Sequence, residues 1–367
     1  MIRDSAGMSE NRRIERLDNT TANQIAAGEV IERPVSVVKE LVENAIDAGS
    51  DRIRIEIEDG GLSLIRITDN GRGMIEADLP LAIERHATSK LRSIGDLNSL
   101  DTLGFRGEAL ASIASVSVLD IETRRRGEIS GSRLLSGEDR AEPVIEKTGC
   151  PEGTRISVER LFYNTPARLK FMGSAGYEAG LIHDLVIQMA LGYPAVGFRL
   201  ENRQKVLVDT YDINRIEDLI ELFYGGEARR ALIAVKASVS TGVVSGYVTA
   251  APYSRGTRKG YHIFVNNRRV LIRDLQWNID RAYEYMLPRG RFPVCVLSFN
   301  LPGHLIDVNV HPGKLEVRIN DADFKPAITR VLQEALSGGQ VTPELADAAA
   351  VASQHRSPSD RSETRGN

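Results

Sequence analysis

The sequence predicts an α+β protein built as two successive units, each a β-sheet with helices laid on it. Three observations carry this. The stretch "RIRIEIEDGGLSLIRITDNGRGM" alternates apolar and polar residues on both sides of Asp-Gly-Gly, the pattern of a hairpin of half-buried strands over 52–58 and 63–68. Just before it, "RPVSVVKELVENAIDAG" repeats apolar residues at helical spacing, with Pro34 suited to a first turn and Gly49 to the position past the last. Around residues 212–230 the pattern of strands and helix begins afresh.

In order, residues 1–16 are polar and read as a flexible N-terminal segment, with Met8 as an alternative start. "LDNTTANQIAAGEVIE" reads as a short helix capped near Asn19 to Thr21, before the helix that opens at Pro34. After the hairpin, "EADLPLAIERHATSKL" is helical and leads into a polar region. "GFRGEALASIASV" begins with glycines and turns into a small-residue helix; the strand "VSVLDIETR" follows. "GTRISVERLF" is a strand, "YEAGLIHDLVIQMALGYP" a helix, and "GFRLENRQKVLVDT" a hairpin that closes the first unit. In the second, "ALIAVKASVSTGVVSGYVTAAP" and "GYHIFVNNRRVLI" supply strands and "RDLQWNIDRAYEYML" a helix; "FPVCVLSFNLPG" and "IDVNVHPGKLEVRI" are strands again. After Leu336 the Ser, Gly, Pro, Ala and charge content reads as a linker or disordered tail, which suggests a further domain beyond it. The expected division is 1–16, 17–212, 213–336 and 337–367, with no internal repeat.

Composition narrows the function classes. The 367 residues suffice for two or three domains, and 26% charged with 42% hydrophobic content is ordinary for a soluble chain. A net charge of -3 argues against wholesale polyanion binding, so nucleic-acid contacts must come from local basic patches. The two cysteines, Cys150 and Cys295, have no metal-ligand spacing, and the six histidines form no H-E-x-x-H. With no apolar run long enough for a bilayer and no signal-peptide core, a cytoplasmic protein is expected.

The helix from Pro34 gathers Val35, Val38, Leu41, Val42, Ala45 and Ile46 on one side. Ser36, Glu40, Glu43, Asn44 and Asp47 fall in one sector of the other, with Lys39 apart from it. No cation is expected among these acids to relieve their repulsion. Such a stripe is commonly solvated surface. Its other reading is a site for a hard cation: Mg²⁺ takes oxygen ligands while keeping waters and phosphate oxygens. Asn44 could then ligate the metal without adding charge, and Glu40, one turn earlier, could accept a proton from an attacking water.

In "TDNGRGM", Asp69 ends a strand while Gly71 and Gly73 let backbone approach a ligand; a carboxylate so placed can accept the exocyclic amino proton of an adenine. The plain alternative is a turn. In "LGFRGEALASI", Gly104 and Gly107 precede a helix whose free N–H groups suit phosphates, and Thr88, Ser89 and Lys90 of "RHATSK" add donors. There is no G-x-x-x-x-G-K-[ST], no G-x-G-x-x-G after a strand, no G-x-S-x-G and no EF-hand loop.

In order, "KELVENAIDAG", "DNGRGM", "RHATSK", "GFRGEALASI", "GT" before a strand, "LFYNTPARLKF" and "DVNVHPGKLEVR" resemble the MutL family of DNA mismatch repair proteins. The first motifs are common to the wider GHKL-type ATPase class of gyrase, sensor histidine kinases and a chaperone; "GFRGEALASI", "FYNTPAR" and "VNVHPGKLEVR" are the more specific. The similarity runs from about Leu17 to about Leu336. It implies a GHKL-type ATPase α/β sandwich, helices over an antiparallel-rich mixed sheet, followed by a smaller ribosomal-S5-like α/β domain.

By that resemblance Glu40 is the general base, Asn44 the Mg²⁺ ligand with Asp47 beside it, and Asp69 the adenine anchor in a loop with Asn70, Gly71 and Gly73. Thr88, Ser89, Lys90, Gly104, Phe105, Arg106 and Gly107 form the phosphate lid, Thr154 sets a hydroxyl beside the base, and Lys314 reaches the γ-phosphate. Arg72 and Met74 stand where the family often has "DNGCGI", and Gly313 replaces a frequent alanine. The basic clusters offer DNA contacts at Arg168, Lys170, Arg268, Arg269 and Arg273, and equally read as solvated surface.

The implied protein binds ATP and Mg²⁺, dimerises with ATP, binds DNA, and relays a MutS-type mismatch sensor to a nicking endonuclease and a helicase. The competing readings are a non-enzymatic DNA- and partner-binding scaffold and the ATPase region of a type II topoisomerase. Filled catalytic positions argue against the first, "FYNTPAR" and "VNVHPGK" against the second.

Overall fold

The computed structural model describes residues 30–88, 90, 107–137, 140, 142–239, 242–270, 273–307, 318–319 and 323–338. The short helix expected near Asn19 lies outside them. The chain divides into two compact units between Gly225 and Gly226.

In the first unit, helix α1 (Pro34–Asp47) leads into the hairpin β1 (Arg52–Glu58) and β2 (Leu64–Asp69). Then come α2 (Asp78–Ala82), α3 (Ala109–Ala114), β3 (Val118–Arg124), β4 (Gly131–Ser136), β5 (Val144–Thr148) and β6 (Gly153–Glu159). The unit ends with α4 (Pro166–Leu169), α5 (Ala175–Gly192), the hairpin β7 (Gly197–Asn202) and β8 (Lys205–Asp209), and α6 (Ile216–Tyr224). The eight strands form one sheet in the order β5-β4-β3-β6-β2-β1-β7-β8. Only β1 and β7 run parallel, so the sheet is mixed and antiparallel-rich, as the resemblance implies.

The alternation in β1 and β2 decides which face is covered. Ile53, Ile55, Ile57, Ile65 and Ile67 point into the core, where Val38, Leu41 and Val42 of α1 and Ile182, Val186 and Met189 of α5 meet them. Each such aliphatic side chain contributes about 1.5–3 kcal/mol when fully buried. The alternate residues form an ionic lattice instead: Glu201 accepts from Arg54 Nη2 at 2.7 Å and Arg199 Nε at 2.6 Å. Helix α5 starts where the Ser174 hydroxyl accepts from Tyr177 N at 3.3 Å.

The second unit holds α7 (Gly226–Arg230), β9 (Leu232–Val239), β10 (Gly242–Thr249), β11 (Tyr261–Val265) and β12 (Arg268–Arg269). It continues with α8 (Arg273–Ala282), β13 (Cys295–Asn300), the paired short strands β14 (Ile306–Asp307) and β15 (Arg318–Ile319), and α9 (Phe324–Leu336). Its sheet runs β12-β11-β13-β10-β9, with β12 at one edge. Leu275 and Ile279 of α8 and Phe324, Ile328 and Leu332 of α9 share one core with the sheet. There Phe299 meets Phe324 edge-on, centroids 5.4 Å apart.

Several elements differ from the sequence expectation. The helix expected over "EADLPLAIERHATSKL" is confined to Asp78–Ala82, followed by turn residues and by His86 at φ +64°. Strands β4 and β5 were not anticipated: β5 is an edge strand exposed along most of its length, so no alternation marks it. Helix α9 was not anticipated either, since its apolar positions merge with the sequence leading to the tail.

Candidate functional site

Helix α1 turns Val37, Val38, Leu41, Val42 and Ala45 inward, and Glu40, Glu43, Asn44 and Asp47 lie on its more open sector. The expectation that no cation relieves this sector is corrected by two lysines. Lys39 Nζ lies 3.0 Å from Glu40 Oε1 and 3.2 Å from Glu43 Oε2. Its long stem swings across the angle that separates it from the acids on a helical wheel. Burial pulls the Lys39 ammonium down, but the two carboxylates outweigh it and hold its pKa above the ordinary lysine value. The second cation is Lys90, whose Nζ lies 2.8 Å from Asn44 Oδ1 and 2.5 Å from Asp47 Oδ2.

The strand end at Asp69 meets the C-terminal end of α1. Asp69 Oδ1 accepts from Gly71 N at 2.8 Å and from the Ser50 hydroxyl at 3.0 Å. Burial raises the Asp69 pKa, and hydrogen bonds from Gly71, Ser50 and the Thr154 backbone pull it back only in part. Arg72 N donates to Ala48 O at 3.0 Å, tying the loop to the helix end. A Cβ at Gly71 would lie 2.7 Å from Ser50 Oγ. At Gly73, with φ +66°, it would lie 2.2 Å from Arg124 O, so only glycine lets the loop lie against β3.

The sheet registers Asp69, Thr154 and Thr123 side by side on β2, β6 and β3. Thr123 Oγ1 contacts Thr154 Oγ1 at 3.1 Å and Gly153 O at 3.0 Å, and accepts from Met74 N at 2.9 Å. The Asn70 side chain turns to the start of β1: its oxygen accepts from Asp51 N and Arg52 N, and its nitrogen donates to Asp51 Oδ1 at 2.6 Å. It braces the loop from outside.

Two halves of the expected lid meet through Gly107, whose added Cβ would lie 2.5 Å from Ala87 O, and through His86 Nδ1 and Glu108 Oε1 at 3.4 Å. Thr88 Oγ1 accepts from Lys90 N at 3.1 Å. Ser89, Gly104, Phe105, Arg106 and Lys314 lie outside the described residues.

No group of three or more His, Cys, Asp or Glu side chains that could hold a metal occurs among the described residues. Asn44 Oδ1 and Asp47 Oδ2 nevertheless converge on one cation, the Lys90 ammonium. Such an oxygen pair fits a hard cation that draws its remaining ligands from phosphate and water.

The basic candidates divide between the units. Arg168 is partly spent on packing, with Nη1 3.5 Å from Ile31 O and its guanidinium 5.7 Å from the Phe162 centroid; Lys170 is exposed. Arg268 and Arg269 are half-buried on edge strand β12, across from Val265 and Phe264 of β11. Arg273 opens α8, and only its backbone is described.

Sequence reasoning missed Ser50, Thr123 and the role of Lys39. Thr123 had a legible signal, since it takes the third inward position of β3 after Leu119 and Ile121, where a polar residue needs a reason. Ser50, just past the helix end, had none.

Residues 32–148 match the family model described as histidine kinase-, DNA gyrase B-, and HSP90-like ATPase, and residues 220–337 the model of the DNA mismatch repair protein C-terminal domain. The chain is 42% identical over 333 residues to the DNA mismatch repair protein MutL of Symbiobacterium thermophilum, covering 90% of this chain and 52% of that protein. It is 46% identical over 329 residues to MutL of Streptococcus thermophilus, covering 88% and 50%. The chain thus spans about half the length of the curated relatives it matches. Among solved structures, the N-terminal domain of a DNA repair protein matches with TM-score 0.71 and 25% identity, covering 86% of this chain and 97% of that one. The Aquifex aeolicus MutL ATPase domain complexed with ADP matches with TM-score 0.56 and 26% identity, covering 74% and 93%.

Proposed function

The chain belongs to the MutL family of DNA mismatch repair proteins, and from that premise we propose that it is the ATP-operated part of a mismatch-repair switch. The observation that carries this reading is the cation held between Asn44 Oδ1 and Asp47 Oδ2, one helical turn from Glu40 on α1. Asp69 accepts the adenine amino proton, its orientation fixed by Ser50 and Gly71. Asn44 and Asp47 offer their oxygens to Mg²⁺, which when bound neutralises phosphate charge. Glu40 takes the proton of the attacking water, with Lys39 holding its carboxylate. Thr88 and Lys90 face the phosphates once Lys90 leaves Asn44, and Lys314 meets the γ-phosphate. ATP binding brings two copies together, hydrolysis separates them, and the basic clusters hold DNA while a mismatch sensor and downstream nicking and unwinding factors are engaged.

The test pairs phosphate release with light scattering, without nucleotide, with ADP, and with a non-hydrolysable ATP analogue plus Mg²⁺. A shift from monomer to dimer only with the triphosphate form is expected. Glu40→Ala keeps triphosphate binding and loses turnover, and Asn44→Ala loses Mg²⁺-dependent binding. Normal turnover in Glu40→Ala would remove the assigned base. A monomer in every state, at concentrations above the nucleotide affinity, would reduce the protein to an ATP-binding module.

A further inference from the structure

In the second unit, α8 and α9 leave a groove between them lined by Trp277, Asn278 and Arg281 from one helix and by Lys325, Thr329 and Arg330 from the other, among others. Three of these are cations, and among the described residues no carboxylate lines the groove. Both helices spend their apolar residues on the core: Leu275 and Ile279 from α8, Ile328 and Leu332 from α9. Trp277 does not join them and is 58% exposed. A guanidinium stands at its ring, with Arg281 Cζ 5.3 Å from the centroid. The floor is polar, since Thr329 Oγ1 donates to Asn278 O at 3.2 Å and contacts Asn278 Oδ1 at 3.0 Å. In the turn that follows α8, Tyr285 is 96% exposed.

We propose that this groove is a binding site for single-stranded DNA, with a base stacked on Trp277 and the backbone phosphates held by Arg281, Lys325 and Arg330. The DNA-binding part of the function proposed above is its premise, and it names a place for it that lies outside the Arg268–Arg273 cluster. Charge complementarity selects a polyanion, and the exposed indole, already engaged by one guanidinium, selects one that carries aromatic rings. In a duplex the bases are stacked on one another and cannot reach an indole, so a single strand is favoured over a double one. An acidic peptide would satisfy the cations and leave Trp277 without purpose.

Trp277 is the only tryptophan in the chain, so its fluorescence reports on the groove directly. The full chain is titrated with oligothymidylate of about 16 nucleotides, a site size within the range of single-strand grooves. Saturable quenching that weakens steeply with salt is expected, and a blunt duplex with the same number of phosphates should quench far less. With end-labelled oligothymidylate read by anisotropy, Trp277→Ala should weaken binding about tenfold while Trp277→Phe retains most of it, as stacking predicts. The double variant Arg281→Gln with Arg330→Gln should flatten the salt dependence. Circular dichroism melts check that each variant is folded. If labelled strand binds but Trp277 is not quenched, the groove assignment is overturned and DNA binding stands elsewhere. If polyglutamate quenches as well as oligothymidylate, the groove takes acidic peptide and the proposal is likewise overturned. Binding of neither strand nor duplex would remove the DNA-binding premise itself.

Discussion

The ammonium of Lys90 lies 2.5 Å from Asp47 Oδ2 and 2.8 Å from Asn44 Oδ1, so a lysine of the "RHATSK" segment stands where the proposed function needs a metal ion. Asp47 and Lys90 are only 7% and 15% exposed in their side chains, which makes the pair sensitive to removal of one partner. Lys90→Met should therefore cost about 1–3 kcal/mol of stability, read from chemical denaturation without nucleotide. Millimolar Mg²⁺ should restore part of that loss in the variant and change the parent little, because the added cation takes the place of the missing one. Equal responses to Mg²⁺ in both proteins would show that Asn44 and Asp47 do not form a cation site.

The loop after Asp69 allows a paired test of glycine. Gly73 and Gly127 both have positive φ, +66° and +87°, but only at Gly73 would a Cβ meet backbone, 2.2 Å from Arg124 O. Gly127→Ala should cost about 1–2 kcal/mol from backbone strain alone. Gly73→Ala adds the displacement of the loop from β3 and should cost about 3 kcal/mol or more, with loss of nucleotide binding. Denaturation curves and an ATP-analogue titration on the two variants separate strain from contact. Equal costs would mean that the loop yields without consequence.

How much of this was legible depends on whether a residue's partner is near in sequence or supplied by the sheet. The β1–β2 hairpin, α1 and α5 carry strong periodicity and a core face, and they appear as read. The motif residues Glu40, Asn44 and Asp69 could be named because their residue types and the family resemblance agree on a chemistry. The grip of Lys39 on Glu40 and Glu43 was misread because a helical wheel places Cβ atoms, and a lysine stem reaches past its own sector. Asn70 looked like part of the loop's ligand surface, yet its amide closes onto Asp51 and Arg52, a pairing fixed only when β1 and β2 align.

Thr123 stood out as a polar residue at an inward strand position, but its partners are supplied only by the sheet. Its hydroxyl, fully buried, joins Met74 N, Gly153 O and Thr154 Oγ1. Thr123→Val keeps the shape but strands the Met74 N–H, and should cost about 1–3 kcal/mol. Because Met74 follows the Gly71–Gly73 loop, nucleotide affinity should fall along with stability, and Thr123→Ser should recover both. A Val variant with unchanged melting and unchanged affinity would reduce the hydroxyl to a space-filler.

Asp69 offers the sharpest separation of stability from binding. Burial raises its folded-state pKa above the ordinary aspartate value, with hydrogen bonds from Gly71, Ser50 and Thr154 offsetting only part of this. A raised carboxyl binds its proton more tightly when folded than when unfolded. Its contribution to stability is therefore fully present below the unfolded pKa of about 3.8 and is lost as pH rises through the folded value. At neutral pH the ionised Asp69 costs stability that Asn would not. Asp69→Asn keeps an oxygen to accept from Gly71 N and the Ser50 hydroxyl, so it should melt higher than the parent at pH 7.5, with the gap closing toward pH 4. The same variant should bind ATP at least about tenfold more weakly, about 1.4 kcal/mol, because an amide is a poorer acceptor for the adenine amino group than a carboxylate. Melting curves across that pH range and an ATP-analogue titration test both halves. A variant less stable than the parent at pH 7.5 would mean that the hydrogen bonds to the charge outweigh its burial, and full retention of ATP affinity would take the adenine away from Asp69.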